Sequence, residues 1–375
     1  MEKLAKGNTF PLVYRIVFES LRHRWVRTLL SALAIGVGVA MILSVVGMRE
    51  GMIGDQRSRV RGMGAEIWIY PAGISPISIS AAQMSERLVD LVAQQDYVAS
   101  ATSSTIYPLE RINRITGIDY QAFDDIAQFK WIEGRGLEDR LDVILDEFYS
   151  RQNKLGVGDT IEMINQTWNV VGVFESGKSA RMLVSQDVLQ ELTDNIGKIT
   201  MIYVKIRDPT KVNEAIAALH EKLSVEQYQI YSVEELVSEF SATTVPEVEI
   251  LMNVMITLNV VFGFLVVFLT MHMAVLERTR EIGILKSLGA SPRYILGIFM
   301  REAFALAVFG AIAGILASFG ASHAMKTFLP TWQLAIVPGW WPIASVISTV
   351  GALLGVLYPA WKAASQDALE SLAYE

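Results

Sequence analysis

Apolar positions along this chain fall into four stretches long enough to cross a bilayer, separated after the first by 200 residues that hold none. Residues 28–48 give 21 uncharged positions, ~31 Å as helix, enough for a hydrocarbon core. Residues 250–276 give 27 positions without Asp, Glu, Lys or Arg, ~40 Å as helix, so this span must tilt or project beyond the bilayer. A third span is set at 297–325, with its charge-free run at 303–325. Residues 327–361 also lack charge, but Pro330, Pro338, Gly339 and Pro342 break their first half. That predicts an extracytoplasmic loop at 326–341, with Trp332, Trp340 and Trp341 as an aromatic belt, and a fourth span at 342–360. Ahead of the first span, Leu12, Val13, Ile16, Val17 and Leu21 recur three and four apart among Arg15, Arg22, His23, Arg24 and Arg27. This predicts a cytoplasmic amphipathic helix within residues 1–27, lying on an anionic membrane face. The length of the following run marks a retained anchor and not a cleaved signal.

From 49 to 248 the periods shorten. A strand at 66–70, a helix at 83–94 and a strand at 98–107 are matched by a strand at 199–206, a helix at 210–223 and a strand at 227–231. Two βαβ-like halves, about 64–108 and 199–232, therefore flank a strand-rich insertion at 109–198. Within it, LGVGDTIEMINQTWNVVGVF (155–174) reads as a glycine-punctuated hairpin. A helix at 233–240 leads into the second span, 249–275. The expected fold is membrane α-helical, with four transmembrane helices and an inserted α+β extracytoplasmic domain.

Charge orients this plan. Residues 49–248 hold 19 Lys and Arg against 30 Asp and Glu, net −11; the remainder holds 13 against 9, net +4. An acidic block between basic apolar ends argues against nucleic acid as partner. Six Lys and Arg precede residue 28 and five lie in 276–301, but Lys326 stands alone in 326–341. Both termini, the 276–296 connection and the 361–375 tail are thus expected in the cytoplasm, and the large domain outside. Zero cysteines exclude disulfides and thiolate chemistry, and His23, His220, His272 and His323 lack ligand spacing.

Residues 172–179, GVFESGKS, match the phosphate-loop pattern G-x-x-x-x-G-K-S letter for letter. Such a loop needs a helix after it, whereas 180–185 reads as another strand, so a polar turn is expected. The neighbouring pairs Asp124-Asp125, Glu138-Asp139 and Asp146-Glu147 point apart and read as a solvated face. No charge lies within the core of any span, which weighs against ion-coupled transport, so energy must enter elsewhere. Small residues recur every four positions: Ala32, Gly36, Ala40 and Ser44 in the first span, Gly310, Gly314, Ser318 and Ser322 in the third, Gly351 and Gly355 in the fourth. These stripes predict close helix packing in lipid.

LERTREIGILKSLGASP (276–292) stands between the second and third spans. Glutamates among its cations disfavour simple lipid attraction, Gly289 can cap one helix, and Ser291-Pro292 can open the next. A rigid, mixed-charge helix of this kind suits protein docking. ERTREIGILKSLGAS resembles the signature of the FtsX/MacB-type ABC transporter permeases. YPAWKAASQDALESL (358–372) resembles the family's ending, with Ser365-Gln366-Asp367 lacking the usual proline. The 155–174 hairpin resembles its extracytoplasmic core, and the order of one span, large domain and three spans agrees.

The resemblance implies a non-catalytic permease subunit of a bacterial inner-membrane exporter, with no directly bound cofactor. ATP and magnesium would sit on a partner, a cytoplasmic ABC ATPase. It also implies a second permease copy (a homodimer or a paralogue), surrounding membrane lipids, and room for a periplasmic adaptor. Glu277, Arg278, Arg280, Glu281, Gly283, Lys286, Gly289 and Ala290 map to the ATPase-coupling segment, with Glu281 and the Gly289-Ala290 cap setting the docking geometry. ATPase closure would drive the outer domain through the spans, by mechanotransmission. The alternative is an FtsX-like signalling protein that activates an extracytoplasmic partner such as a cell-wall hydrolase.

Overall fold

The computed structural model describes residues 25–72, 83–109, 114–223, 227–242 and 246–365. The expected N-terminal amphipathic helix and residues 366–375 of the tail lie outside them, as does the Arg280 side chain. The chain forms two units. One comprises Met1–Glu50, Val245–Met325 and Leu334–Glu375; the other comprises Gly51–Thr244 and Lys326–Gln333.

Helix α1 (Trp25–Gly62) outruns the first apolar segment, continuing past Met48 to Gly62. The Asp55–Arg59 pair at i,i+4, with Nε to Oδ2 at 3.0 Å, supports this extension. Residues 51–62 belong to the sheet unit.

In that unit the chain runs through β1 (Ile67–Pro71), β2 (Met84–Ser85), α2 (Arg87–Ala93), β3 (Val98–Pro108), β4 (Arg114–Ile118), α3 (Tyr120–Ala127), β5 (Trp131–Gly134), β6 (Asp142–Asp146) and α4 (Glu147–Asn153). It continues through β7 (Thr160–Met163), β8 (Gln166–Phe174), β9 (Met182–Ser185), α5 (Gln186–Leu192), β10 (Lys198–Ile199), β11 (Met201–Ile206), α6 (Val212–Lys222), β12 (Tyr228–Ser232) and α7 (Val233–Ala242). The main sheet is ordered β12-β1-β11-β3-β4-β9-β6-β8-β5, with β7 paired to β8. The two βαβ units interlock: β11 lies between β1 and β3, and β1 lies between β11 and β12, every contact antiparallel. This is the split βαβ arrangement, one four-stranded sheet where the sequence suggested two halves. Interlocking gives the central strands two neighbours each, which is why β1 and β11 carry near-continuous buried residues.

The insertion extends the same sheet beyond β3. The β7–β8 hairpin turns at Ile164 and Asn165, with φ of +52° and +55°, the geometry of a two-residue turn whose twist suits flanking strands. Phe123, Phe174, Tyr203 and Leu219 lie in one buried cluster, and Trp168, Tyr149 and Leu189 in another under the insertion.

The helical unit adds α8 (Pro246–Glu277), α9 (Thr279–Ser287), α10 (Pro292–Phe328) and α11 (Trp340–Ser365) to the first part of α1. Helices α1, α8, α10 and α11 are each long and apolar enough to cross a membrane. Their small residues mark definite pairings. A Cβ added at Gly36 would lie 3.0 Å from the Gly310 carbonyl, and one at Gly314 would lie 2.5 Å from the Gly36 carbonyl. Ala32 joins this α1–α10 contact, its carbonyl 2.8 Å from a Cβ built on Gly310. Ala40, half-buried, follows one turn along the same stripe of α1. On α11, a Cβ added at Gly355 would lie 2.9 Å from the Phe264 carbonyl of α8, and one at Gly351 would lie 3.6 Å from the Val260 side chain. Without side chains at these points the backbones close to van der Waals distance, the source of cohesion where lipid offers no hydrophobic contrast.

Candidate functional site

Between α8 and α10 the chain changes direction twice, each time through identifiable chemistry. Arg278 leaves helical geometry (φ −111°, ψ 12°) and separates α8 from α9. The Thr279 hydroxyl donates to the Leu276 carbonyl at 2.8 Å and the Val275 carbonyl at 3.2 Å, meeting oxygens that α8 leaves at its end. At the far end, Ala290 N–H reaches the Leu285 carbonyl and Gly289 N–H the Lys286 carbonyl, both at 2.9 Å. With Gly289 at φ +92°, this is a Schellman cap that a side chain at 289 would strain. Ser291 Oγ then accepts from Tyr294 N–H at 3.3 Å, and Pro292 opens α10.

Helix α9 has two unlike faces. Ile282 is 3% exposed in a cluster with Val275, Ile295, Phe299 and Ala363; Ala290 packs against that cluster, and Gly283 is buried too. Glu281, Ile284 and Leu288 share the opposite face, with Ile284 46% and Leu288 79% exposed. Glu277 is exposed and Lys286 half-buried.

The structure adds Glu302, which sequence reasoning passed over. Only 1% of its side chain is exposed, and its Oε2 lies 3.2 Å from Nη1 of Arg278. The available signal was its place one residue ahead of a charge-free run. Helix α10 reaches back to Pro292, and so carries Glu302 alongside the α8–α9 bend. Burying either charge alone would be costly; together they tie the bend to α10.

A second constellation lies within the sheet unit, around the C-terminal end of α1. Arg59 Nη2 meets Asp146 Oδ2 at 2.9 Å, Nε meets Asp55 Oδ2 at 3.0 Å, and Nη1 donates to the Lys178 carbonyl at 3.1 Å. Arg181 Nη2 donates to Asp55 at 2.9 Å and to the Thr331 carbonyl at 3.1 Å. Thr331 N–H in turn reaches Gln152 Oε1 at 3.1 Å. Asp146, whose side chain is wholly buried, also caps α4 by accepting from Tyr149 N–H at 2.7 Å. Burial would lower the Arg59 pKa, but Asp55 and Asp146 more than offset it and raise it above the ordinary value.

The GVFESGKS segment closes this cluster. Lys178 Nζ donates to the Gly62 carbonyl at 2.8 Å and to the Ala127 carbonyl, capping the ends of α1 and α3. Burial, with Lys130 adding, lowers the Lys178 pKa. Gly177 sits at φ +103°, and a Cβ on Gly62 would collide with its carbonyl. Strand β9 follows, where a phosphate loop requires a helix, and the lysine is committed to backbone. These residues do not fit a nucleotide. Both constellations hold and orient; neither pairs a nucleophile with a base.

Comparison with known proteins agrees with this architecture. Residues 28–222 match the model of a MacB-like periplasmic core domain, and residues 253–368 that of an FtsX-like permease C-terminal domain. The macrolide export ATP-binding/permease protein MacB of Burkholderia cenocepacia is 27% identical over 98% of this chain, which spans 58% of that protein. The uncharacterized ABC transporter permease YvrN of Bacillus subtilis is 25% identical, covering 96% of this chain and 99% of its own length. Among solved structures, the periplasmic region of MacB from Actinobacillus actinomycetemcomitans is 19% identical with a TM-score of 0.39, covering 49% of this chain and 97% of its own.

Proposed function

Because the chain belongs to the ABC-type permease family that joins a MacB-like periplasmic core domain to an FtsX-like permease C-terminal domain, we propose that it is the permease subunit of an exporter driven at α9 by a separate cytoplasmic ABC ATPase. The observation that carries this reading is the two-faced α9. One face is fixed to the helical unit through Ile282, Ala290 and the buried Arg278–Glu302 pair, and the other leaves Glu281, Ile284 and Leu288 exposed. A capped helix that exposes two aliphatic side chains beside a carboxylate has a surface suited to a protein groove. Seating a leucine fully is worth about 1.5–3 kcal/mol, so Leu288 is a natural anchor.

On this proposal both termini and α9 face the cytoplasm, and the sheet unit lies outside the bacterial inner membrane. A second permease copy completes the transporter, and ATP and magnesium are bound by the ATPase. Closure of the ATPase moves α9, and α8 together with α1, which runs from the helical unit into the sheet unit, relays the motion outward. A periplasmic adaptor joins where export crosses a second membrane. The same α9 step serves activation of an extracytoplasmic partner, and a substrate efflux assay separates the two roles.

The test is co-purification and stimulated ATPase activity of the full chain with its ATPase. Glu281→Lys and Leu288→Asp are each expected to weaken association at least tenfold. Full binding and full stimulation in the double variant would sink the assignment of α9 as the docking element.

A further inference from the structure

Strand β4 pairs with β3 only from Ser104 onward, because at Asp119 the chain leaves the sheet and turns into α3. Along Val98 to Ser103, β3 keeps β11 as its partner on one side and, among the described residues, has no ladder partner on the other. Beside this open edge lies a groove of about 660 Å³, within the range of small-ligand sites. Its walls include Glu86 and Asp90 at the start of α2, Asp119 and Ala122 at the start of α3, and Gln186 at the start of α5. The open edge contributes Thr102 and Ser103.

The groove touches both faces of the sheet. Ser103 and Gln186 lie on one; Thr102, paired with Tyr203, lies on the other, where Phe123 of α3 meets Tyr203 edge-on. Its polar groups are pre-arranged. Ser103 Oγ donates to Gln186 Oε1 at 3.2 Å, and Gln186 Nε2 donates to Glu86 Oε1 at 2.7 Å. Gln190 Nε2 reaches the other Glu86 oxygen at 3.4 Å. Ser103, Gln186 and Gln190 are 5%, 4% and 3% exposed, so the Glu86 carboxylate is oriented by a buried amide scaffold. Among the described residues no cation is paired with Glu86, Asp90 or Asp119, and Arg87 is the single cation on the lining. Asp119 Oδ1 caps α3 through Gln121 N–H and Ala122 N–H, and among the described residues Oδ2 accepts no hydrogen bond.

Independently of these carboxylates, Thr102 is 2% exposed, and its hydroxyl is buried without a hydrogen-bond partner among the described residues. A buried hydroxyl left unpaired is costly unless something supplies the bond.

We propose that this groove is a binding site for a ligand bearing a protonated amine, held by Glu86 and Asp119 and completed by a hydrogen bond to Thr102. The lining has a net charge of −2 from Glu86, Asp90, Asp119 and Arg87, and its oxygen acceptors outnumber its donors. An alkylammonium supplies both the missing charge and three donors. The site rests on the sheet unit alone and stands or falls without the ATPase.

The test is isothermal titration of the full chain in nanodiscs, without ATPase, using hexylamine, 1-hexanol and tri-lysine as probes. Hexylamine is expected to bind saturably at one per chain, and hexanol at least tenfold more weakly. Tri-lysine binding tighter than hexylamine assigns the amine to a basic peptide; weaker binding assigns it to a small molecule. Glu86→Gln and Asp119→Asn should each weaken amine binding about tenfold. Thr102→Val, which removes only the unpaired hydroxyl, should weaken it several-fold while leaving the melting transition unchanged or raised. Equal affinity for amine and alcohol, or unchanged affinity in both Asp119→Asn and Thr102→Val, overturns the proposal even if Glu86→Gln fails to fold.

Discussion

Replacing Arg59 by methionine tests whether the end of α1 is held by the buried ion cluster or merely rests there. Methionine keeps much of the length and removes the charge. At 2.9 Å and an effective dielectric constant of ~20, the Arg59–Asp146 contact is worth about 6 kcal/mol before desolvation is counted. Asp146 keeps Tyr149 N–H, Ser176 Oγ at 3.3 Å and Arg181 Nη1 at 3.7 Å, while Asp55 keeps Arg181. The loss therefore belongs at the low end of that for a broken buried pair, about 3 kcal/mol. In native-state hydrogen exchange on the full chain this corresponds to ~10²-fold faster exchange. The acceleration is expected in 51–62 and 175–181, which the cluster joins, and not in β1, β11 or β12. A double-mutant cycle with Asp146→Asn should show coupling above ~1 kcal/mol, since the two side chains touch. If exchange at 51–62 changes less than threefold, or the two substitutions simply add, the cluster is not what fixes this end of α1.

Three further expectations follow from other contacts. Glu302→Gln should lower ATPase stimulation at least tenfold while leaving ATPase binding near normal, because it unties Arg278 without touching the exposed face of α9; equal loss of binding would contradict this division. Gly314→Val places atoms against the Gly36 carbonyl and Val39, and should cost about 1–3 kcal/mol in reversible detergent unfolding. Gly320→Ala, with open space around it, should be neutral or slightly stabilising, and equal effects at the two sites would refute backbone contact as the cause. A hydrogen bond from Arg140 lowers the Glu191 pKa, and hydrogen bonds from Thr210 lower that of Asp208. Folded values below the unfolded ones mean that this stabilisation is present above about pH 4 and fades as pH falls through the folded values. Thermal melts of Glu191→Gln and Asp208→Ala should thus trail the parent near neutrality and converge with it in acid; a pH-independent gap would show that the carboxylate charge is irrelevant.

What could be read from the sequence was written locally. Span lengths, strand and helix periods, the 155–174 hairpin, and the Gly289 and Ser291 caps each depend on residues within a few positions of one another, although the hairpin turns at Ile164 and Asn165 and not at its glycines. The pairing of the small-residue stripes, α1 with α10 and α8 with α11, required the third dimension, because any stripe of glycines admits any neighbour. The interlocking of the βαβ units was hidden for a similar reason. Each unit announces two strands and a helix, while the decision to slot β11 between β1 and β3 is made by the shared core. Glu302 was missed because a charge at the edge of an apolar run reads as its boundary until a partner such as Arg278 is found 24 residues earlier.

GVFESGKS shows the deeper reason why pattern and role part company. Its glycines permit close backbone approach and its lysine seeks oxygen, the properties that cradle a phosphate. A helix C-terminus offers a weaker version of the same target: unpaired carbonyls and about half a unit of negative charge. Lys178 meets two such ends, at Gly62 and Ala127, and Gly177 lets the loop lie against Gly62. The residue chemistry of the two uses is common, and what separates them is the element that follows, a strand here and a helix in a nucleotide site. A charge-dense glycine loop thus becomes part of the structure that holds α1 in the sheet unit. Its lysine belongs to the same cluster as Arg59, Asp55, Asp146 and Arg181, residues spread over 126 positions that no local motif could have gathered.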